Sequence, residues 1–136
     1  MSLFNVFDVT GSAMSAQTIR LNTVASNMAN ADSVSGSPDQ VYKAKNPIFE
    51  TLLQQESNSN SVSVRVKEIL DSDAPPLVRY EPNHPLADAQ GNIYAPNINM
   101  VEEMANMMSA SRSYQNNVEV FNTSKQLLMR TINIGR

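Results

Sequence analysis

The chain has 136 residues and a formal net charge of −3, with 10 Lys and Arg scattered among 13 Asp and Glu. A nucleic-acid or anionic-membrane partner needs a concentrated basic surface, which this pattern does not offer. The lack of cysteine removes disulfides, thiol nucleophiles and thiolate metal sites together, and no apolar run approaches the ~20 residues of a membrane span.

From Ser2 to Ala31 the only charged residues are Asp8 and Arg20. Phe7, Met14, Leu21 and Met28 recur every seven residues. With Leu3, Thr10, Gln17, Val24 and Ala31 they form a 4-3 repeat, the seam of a coiled coil. Thr10 and Gln17 weaken that seam, and Gly11 costs helix stability about 1 kcal/mol relative to alanine. The opposite face carries Ser, Thr, Asn and Gln where a solvated helix carries Lys and Glu, which points to packing against other protein. The opening MSLFNVFDVTGS has neither a basic n-region nor a long apolar stretch, so no Sec-type signal peptide is expected.

The middle of the chain, 33–96, reads as a small β-rich insert. It begins with the turn-rich stretch from Asp32 to Asp39. Residues 55–61 are rich in Ser and Asn and read as a flexible loop. Val62, Val64 and Val66 then alternate with Ser63, Arg65 and Lys67 as a half-buried strand. Pro75 and Pro76 precede a second strand, Leu77 to Tyr80. Turns follow at Asn83–Pro85 and Gln90–Asn92, and Ile93 and Tyr94 fit a short strand. All seven prolines lie between Pro38 and Pro96, which leaves both ends free to form uninterrupted helices.

The last zone, 97–136, starts with Asn99 as N-cap and Glu102 three residues on, an approximate capping box. Met100, Met107, Tyr114, Phe121 and Leu128 are seven apart. Met104, Val118 and Ile132 fall four after three of them, while Ser111 and Lys125 interrupt that second row. Gly135 supplies a helix stop. The predicted fold is mainly α: long N- and C-terminal helices, 1–32 and 97–136, paired as a coiled-coil-like hairpin around the insert. Neither seam is fully apolar, and the chain has no Trp and only 6% aromatic residues. The missing burial is expected to come from copies or partners.

The residues that carry chemistry are few. His84, the only histidine, sits between Asn83 and Pro85 in a turn. Asp71 and Asp73 flank Ser72 with no third ligand near in sequence. The four glycines are isolated, so there is no phosphate loop. No catalytic residue, metal ligand or cofactor is expected. Met100, Met104, Met107 and Met108 read either as gap-filling core or as a deformable subunit interface, because thioethers repack at little cost. The Asn-rich tracts at 22–30 and 116–122 read either as solvated helix face or as amides bonding between subunits. A soluble helical adaptor is the competing reading of these residues.

The run Leu21-Asn22-Thr23-Val24-Ala25-Ser26-Asn27-Met28-Ala29-Asn30-Ala31 is similar to the N-terminal signature of flagellar rod and hook proteins. Met28 stands where that family more often has Leu. The run Asn99 to Gln115, with Ser111, Arg112 and Tyr114, resembles the family's closing helix, and His84-Pro85-Leu86-Ala87-Asp88 resembles its proximal rod branch. Asn22, Ala25, Asn27, Ala29 and Asn30 are the motif residues at the first end. The resemblance implies a structural subunit of the flagellar basal-body rod. Such a subunit assembles with copies of itself, other rod proteins and the rod-base adaptor into a helical tube crossing the periplasm. The tube transmits torque and surrounds the export channel. Export through the flagellar type III apparatus, without a cleaved signal peptide, is implied as well. The terminal helices would form the inner, axial layer. Their seam residues Leu3, Phe7, Met14, Leu21, Val24, Met28, Met100, Met104, Met107, Tyr114, Val118, Phe121, Leu128 and Ile132 are the expected subunit interface.

Overall fold

The computed structural model describes residues 3–56 and 59–134, and the side chains of 5–53 and 62–133. Two helices account for both ends. Helix α1 spans Leu3–Asn30 and helix α2 spans Met100–Ile134. Neither contains proline, so each backbone ladder runs unbroken. α1 stops where side chains compete for its last carbonyls. Asn30 Nδ2 donates to Ser26 O at 2.8 Å, and Ser33 Oγ donates to Asn30 O at 2.7 Å. α2 starts at Asn99, whose Oδ1 accepts from Val101 N at 3.1 Å. Glu102 and Glu103 in its first turn complement the positive end of the helix dipole. Gly135, expected as the helix stop, lies outside the described residues.

The helices pack antiparallel. Phe7 meets Phe121 edge to face with ring centroids 4.9 Å apart, and Arg20 Nη2 donates to Asn106 Oδ1 at 3.2 Å. This register has a consequence at one end. α1 extends only about one turn before Phe7, whereas α2 continues for about three and a half turns past Phe121. The last turns of α2 therefore overhang the first residue of α1.

The insert holds two two-stranded antiparallel sheets. Strand β1 (Lys45–Glu56) pairs with β2 (Ser59–Asp71), and β3 (Leu77–Tyr80) pairs with β4 (Asn92–Ala95). In the first sheet Ile48 faces Glu68 but Phe49 faces Val66, so Lys67 is the extra residue of a bulge. Side chains alternate with a period of two, so the bulge turns the Val62, Val64, Val66 row to the face of Phe49, Thr51 and Leu53. Without it, Lys67 and Arg65 would sit there. Ion pairs between Lys45 and Asp71 (2.8 Å) and between Arg65 and Glu50 link the two strands.

This long hairpin lies against α1, with Val64 N donating to Ser12 Oγ at 3.2 Å. The lengths match, since 13 residues of strand and 28 of helix both span about 42 Å. The β3–β4 sheet is tied to the loop after α1 by a bridge between Ser35 and Tyr94, with N···O distances of 2.8 and 2.9 Å. Ile93 and Ala95 are its buried centre.

The fold is mixed helix and strand rather than mainly α, and the difference lies in one element. Strand β1 carries no clear sequence signal, because Pro47 and the lack of clean alternation hide it. The expected flexible loop at 55–61 is largely strand instead. β1 runs to Glu56 and β2 begins at Ser59, while 57–58 lie outside the described residues.

Candidate assembly surface

The residues that the two helices bury are mostly small or polar, with Val24 of the expected seam among them. On α1 the buried residues are Asn5, Thr10, Ala16, Thr23, Val24 and Asn27, and on α2 they are Ala110 and Ser124. The hydroxyls cause no penalty, since Thr10 Oγ1 donates to Val6 O at 2.7 Å and Thr23 Oγ1 to Ile19 O at 2.8 Å. Gln17 differs: its Oε1 is buried and finds no donor among the described residues, a cost of about 1–3 kcal/mol.

Of the expected seam residues Val24 is buried, and Phe7 and Phe121 pack on each other. Phe7, Met14, Leu21, Met28, Met100, Met107, Val118, Phe121 and Leu128 are half-buried. Met104, Tyr114 and Ile132 are exposed. Leu3 opens α1, and its side chain lies outside the described residues. On α2 the row that faces inward with Ala110 and Ser124 runs through the half-buried Glu103 and Asn117, one residue before the expected row of Met104, Ser111, Val118 and Lys125. Its two buried members, Ala110 and Ser124, are small. A search for bulky apolar spacing passes over it.

The motif residues divide sharply. Asn22, Ala25, Ala29 and Arg112 are exposed, and Asn30 and Ser111 are half-buried. Asn27 is 1% exposed and satisfies every polar position it has. Its Nδ2 donates to Lys45 O at 3.0 Å and to Glu103 Oε2 at 3.2 Å. Its Oδ1 accepts from Lys45 N at 2.9 Å and from the Tyr42 hydroxyl at 3.1 Å. One side chain thus joins α1, α2 and the root of the long hairpin. Burial, joined by the charges of Asp71 and Glu103, raises the pKa of Tyr42, so the hydroxyl keeps the proton it donates. Beside it, the hydrogen bond and charge of Lys45 hold the Asp71 carboxyl below its ordinary range.

A second polar knot closes the β3–β4 turn. Asp88 Oδ1 accepts from Asn92 N at 2.8 Å and Gln90 N at 2.9 Å, and its Oδ2 accepts from the Tyr94 hydroxyl at 3.0 Å. The Asn92 amide leads the causes that lower the Asp88 pKa, and the bond to Asp88 raises that of Tyr94. His84 caps its own turn, its Nδ1 accepting from Leu86 N at 3.1 Å. These bonds explain the His84–Asp88 stretch as turn chemistry. Among the described residues no group of three His, Asp or Glu side chains is placed to hold a metal ion.

Large apolar side chains are exposed in several places. Val101, Met104 and Met108 lie on the first turns of α2, with 75%, 50% and 58% of their surface exposed. Leu127, Met129 and Ile132 are exposed on the overhang. All four residues of β3 are exposed, and Leu53 and Val62 face each other, both exposed, across the long hairpin. Such a collection is unusual on a free-standing domain.

Comparison with known proteins fits this surface. Residues 7–36 match the flagella basal body rod protein family, and residues 89–134 match the flagellar basal body rod FlgEFG protein C-terminal family. The flagellar basal-body rod protein FlgC of Yersinia enterocolitica is 50% identical over 136 residues, covering 100% of both chains. The chain belongs to the FlgC family of flagellar basal-body rod proteins. FlgC of Escherichia coli O157:H7 is 48% identical over 136 residues, again 100% of both chains, and that of Aquifex aeolicus is 41% identical over 133 residues, 96% of each. As a FlgC family member the chain is a structural component of the basal-body rod, not an enzyme, and assembles with other rod components. No helix among the described residues is long and apolar enough to cross a membrane.

Proposed function

We propose that the chain is a subunit of the proximal rod, polymerising with copies of itself, other rod proteins and the rod-base adaptor into a helical tube. The observation that carries this reading is the exposure of the heptad residues Met104 and Ile132 on a helix pair whose fully buried residues are mostly small or polar. Both lie uncovered within the chain, so their burial belongs to neighbours. The terminal segments 1–32 and 97–136 form the inner, axial layer in a coiled-coil-like packing, and the insert 33–96 forms the outer layer. Nearly uncharged polar side chains such as Asn22 and Ser26 suit a wall past which unfolded chains travel on their way out. The subunit reaches the periplasm through the flagellar type III apparatus without a cleaved signal peptide, and in the finished rod it carries torque.

The test is electron microscopy of basal bodies from a clean deletion strain, with and without the gene restored. Rods missing beyond the inner-membrane ring, and returning with the gene, are the expected result. Complete rods without the gene would remove this reading.

A further inference from the structure

Asn27 has all of its polar positions bonded, and its partners lie on β1, on α2 and on the linker before β1. Lys45 contributes its carbonyl and its amide, and both bonds fix the backbone at the first residue of β1. Glu103 contributes a carboxylate from the first turn of α2. Tyr42 contributes a hydroxyl from the linker that leads into β1. The donors and acceptors are matched in a way only an amide satisfies. The oxygen meets two donors, and the nitrogen meets two acceptors.

From these contacts we propose that Asn27 is the positioning residue that sets the direction in which the long hairpin leaves the helix pair. The hairpin is two-stranded, and such sheets have little stability of their own. Beyond the root it lies along α1, with Val64 N donating to Ser12 Oγ. A strand of 12 residues is about 40 Å long. A change of about 10° at the root therefore displaces the tip by about 7 Å, more than a side-chain contact tolerates. The helix pair has independent anchors, Phe7 on Phe121 and Arg20 on Asn106. Asn27 thus governs the angle between the layers rather than the existence of either. Its consequence for rod geometry rests on the function proposed above, but the angle itself is a property of the single chain.

The test uses the full chain, in which the absence of native cysteine allows clean spin-label pairs. One pair, at Thr51→Cys and Ala105→Cys, reports hairpin against helix pair. A control pair, at Ser15→Cys and Ala105→Cys, reports α1 against α2. All three positions are exposed. Asn27→Asp keeps shape and the acceptor oxygen but turns a second oxygen toward Lys45 O and Glu103. It is expected to broaden or shift the hairpin distance while the control distance stays. Adding Glu103→Gln, whose amide donates to the new carboxylate, is expected to restore most of the original distribution. Glu103→Ala alone, which removes one arm of the junction, is expected to broaden the hairpin distance less. An unchanged hairpin distance in Asn27→Asp overturns the proposal. So does a parallel change in both pairs, which would make Asn27 a general fold contact, and so does failure of Glu103→Gln to restore. If Asn27→Asp does not fold, an unchanged hairpin distance in Glu103→Ala overturns it equally. A broad hairpin distance in the unsubstituted chain also overturns it. Electron microscopy of rods stays a separate readout, so loss of the rod reading leaves the distance result standing.

Discussion

Ala110 shows what the close approach of the helices demands of one residue. It is 0% exposed, in a row otherwise made of Glu103, Asn117 and Ser124. A larger side chain has no space there, and overpacking of this kind costs about 1–3 kcal/mol. Ala110→Leu is therefore expected to lower the melting temperature by several degrees, read by circular dichroism, whereas Ala105→Leu on the exposed face leaves it unchanged. Gly91 makes a similar point about backbone. Its φ is +82°, and a Cβ there would meet Tyr80 Cε2 at 3.0 Å and Pro82 Cβ at 3.1 Å. Strain and contact act together against any side chain at this turn. Asp88, three residues earlier, gives a pH dependence with a definite sign. Its pKa is lowered in the folded chain, so its contribution is fully present above the unfolded value of about 3.9 and is lost as pH falls through the folded value. The amide resonances of Gln90 and Asn92 are expected to lose their hydrogen-bonded shifts only as pH falls through that lowered folded value, below the ordinary carboxylate range. In Asp88→Asn that acid transition is expected to vanish.

At the scale of elements, the two helices are unequally supported. α2 overhangs α1 by several turns, and the overhang exposes Leu127, Met129 and Ile132. Local opening is easiest where few apolar contacts hold a helix. Hydrogen exchange on the purified chain is expected to be fastest on α2 after Lys125 and slowest around Glu103 to Ala110. Uniform protection along α2 would mean that the overhang has support within the chain. Near the start of α1 the pair is held by Phe7 on Phe121. Phe121→Asp replaces an edge-to-face pair worth about 0.5–1.5 kcal/mol with a half-buried charge. The same change is expected to abolish swimming, as is Leu21→Asp, and normal motility in either would remove the seam from the interface.

The whole molecule is an incomplete object with a defined shape. Its buried apolar centre is small, with Ala16, Val24, Ile93, Ala95 and Ala110, while large apolar residues such as Val78, Met104 and Met108 are exposed. A chain of this kind gains its remaining burial on assembly. Met104→Glu with Met108→Glu is expected to change the monomer's melting temperature and circular dichroism little, since half or more of each side chain is already in water. Rod formation is expected to fail, because charge is costly in a desolvated contact. A normal rod from the double variant would move the interface elsewhere. The deformable thioethers at this point suit a subunit whose neighbours differ from one another.

By itself the sequence determined the two long helices, because proline-free heptad patterns and the Asn99 cap are local signals. It determined β3 and the turns around Asn83 and Gly91, for the same reason. Its signature motifs determined the family, later shown by full-length relatives. The tertiary structure alone decided three things. It decided that β1 is a strand, since Pro47 and an irregular pattern carry no period and only pairing with β2 makes the strand stable. It decided the inward row of α2, because close packing selects small residues such as Ala110 and Ser124, and spacing rules look for large ones. It decided the role of Asn27, one asparagine among several in its motif, whose partners at Tyr42, Lys45 and Glu103 lie 15 to 76 positions away along the chain. Such a junction exists only when distant segments meet, and hydrogen-bond matching in a buried site is a property of that meeting rather than of any local stretch.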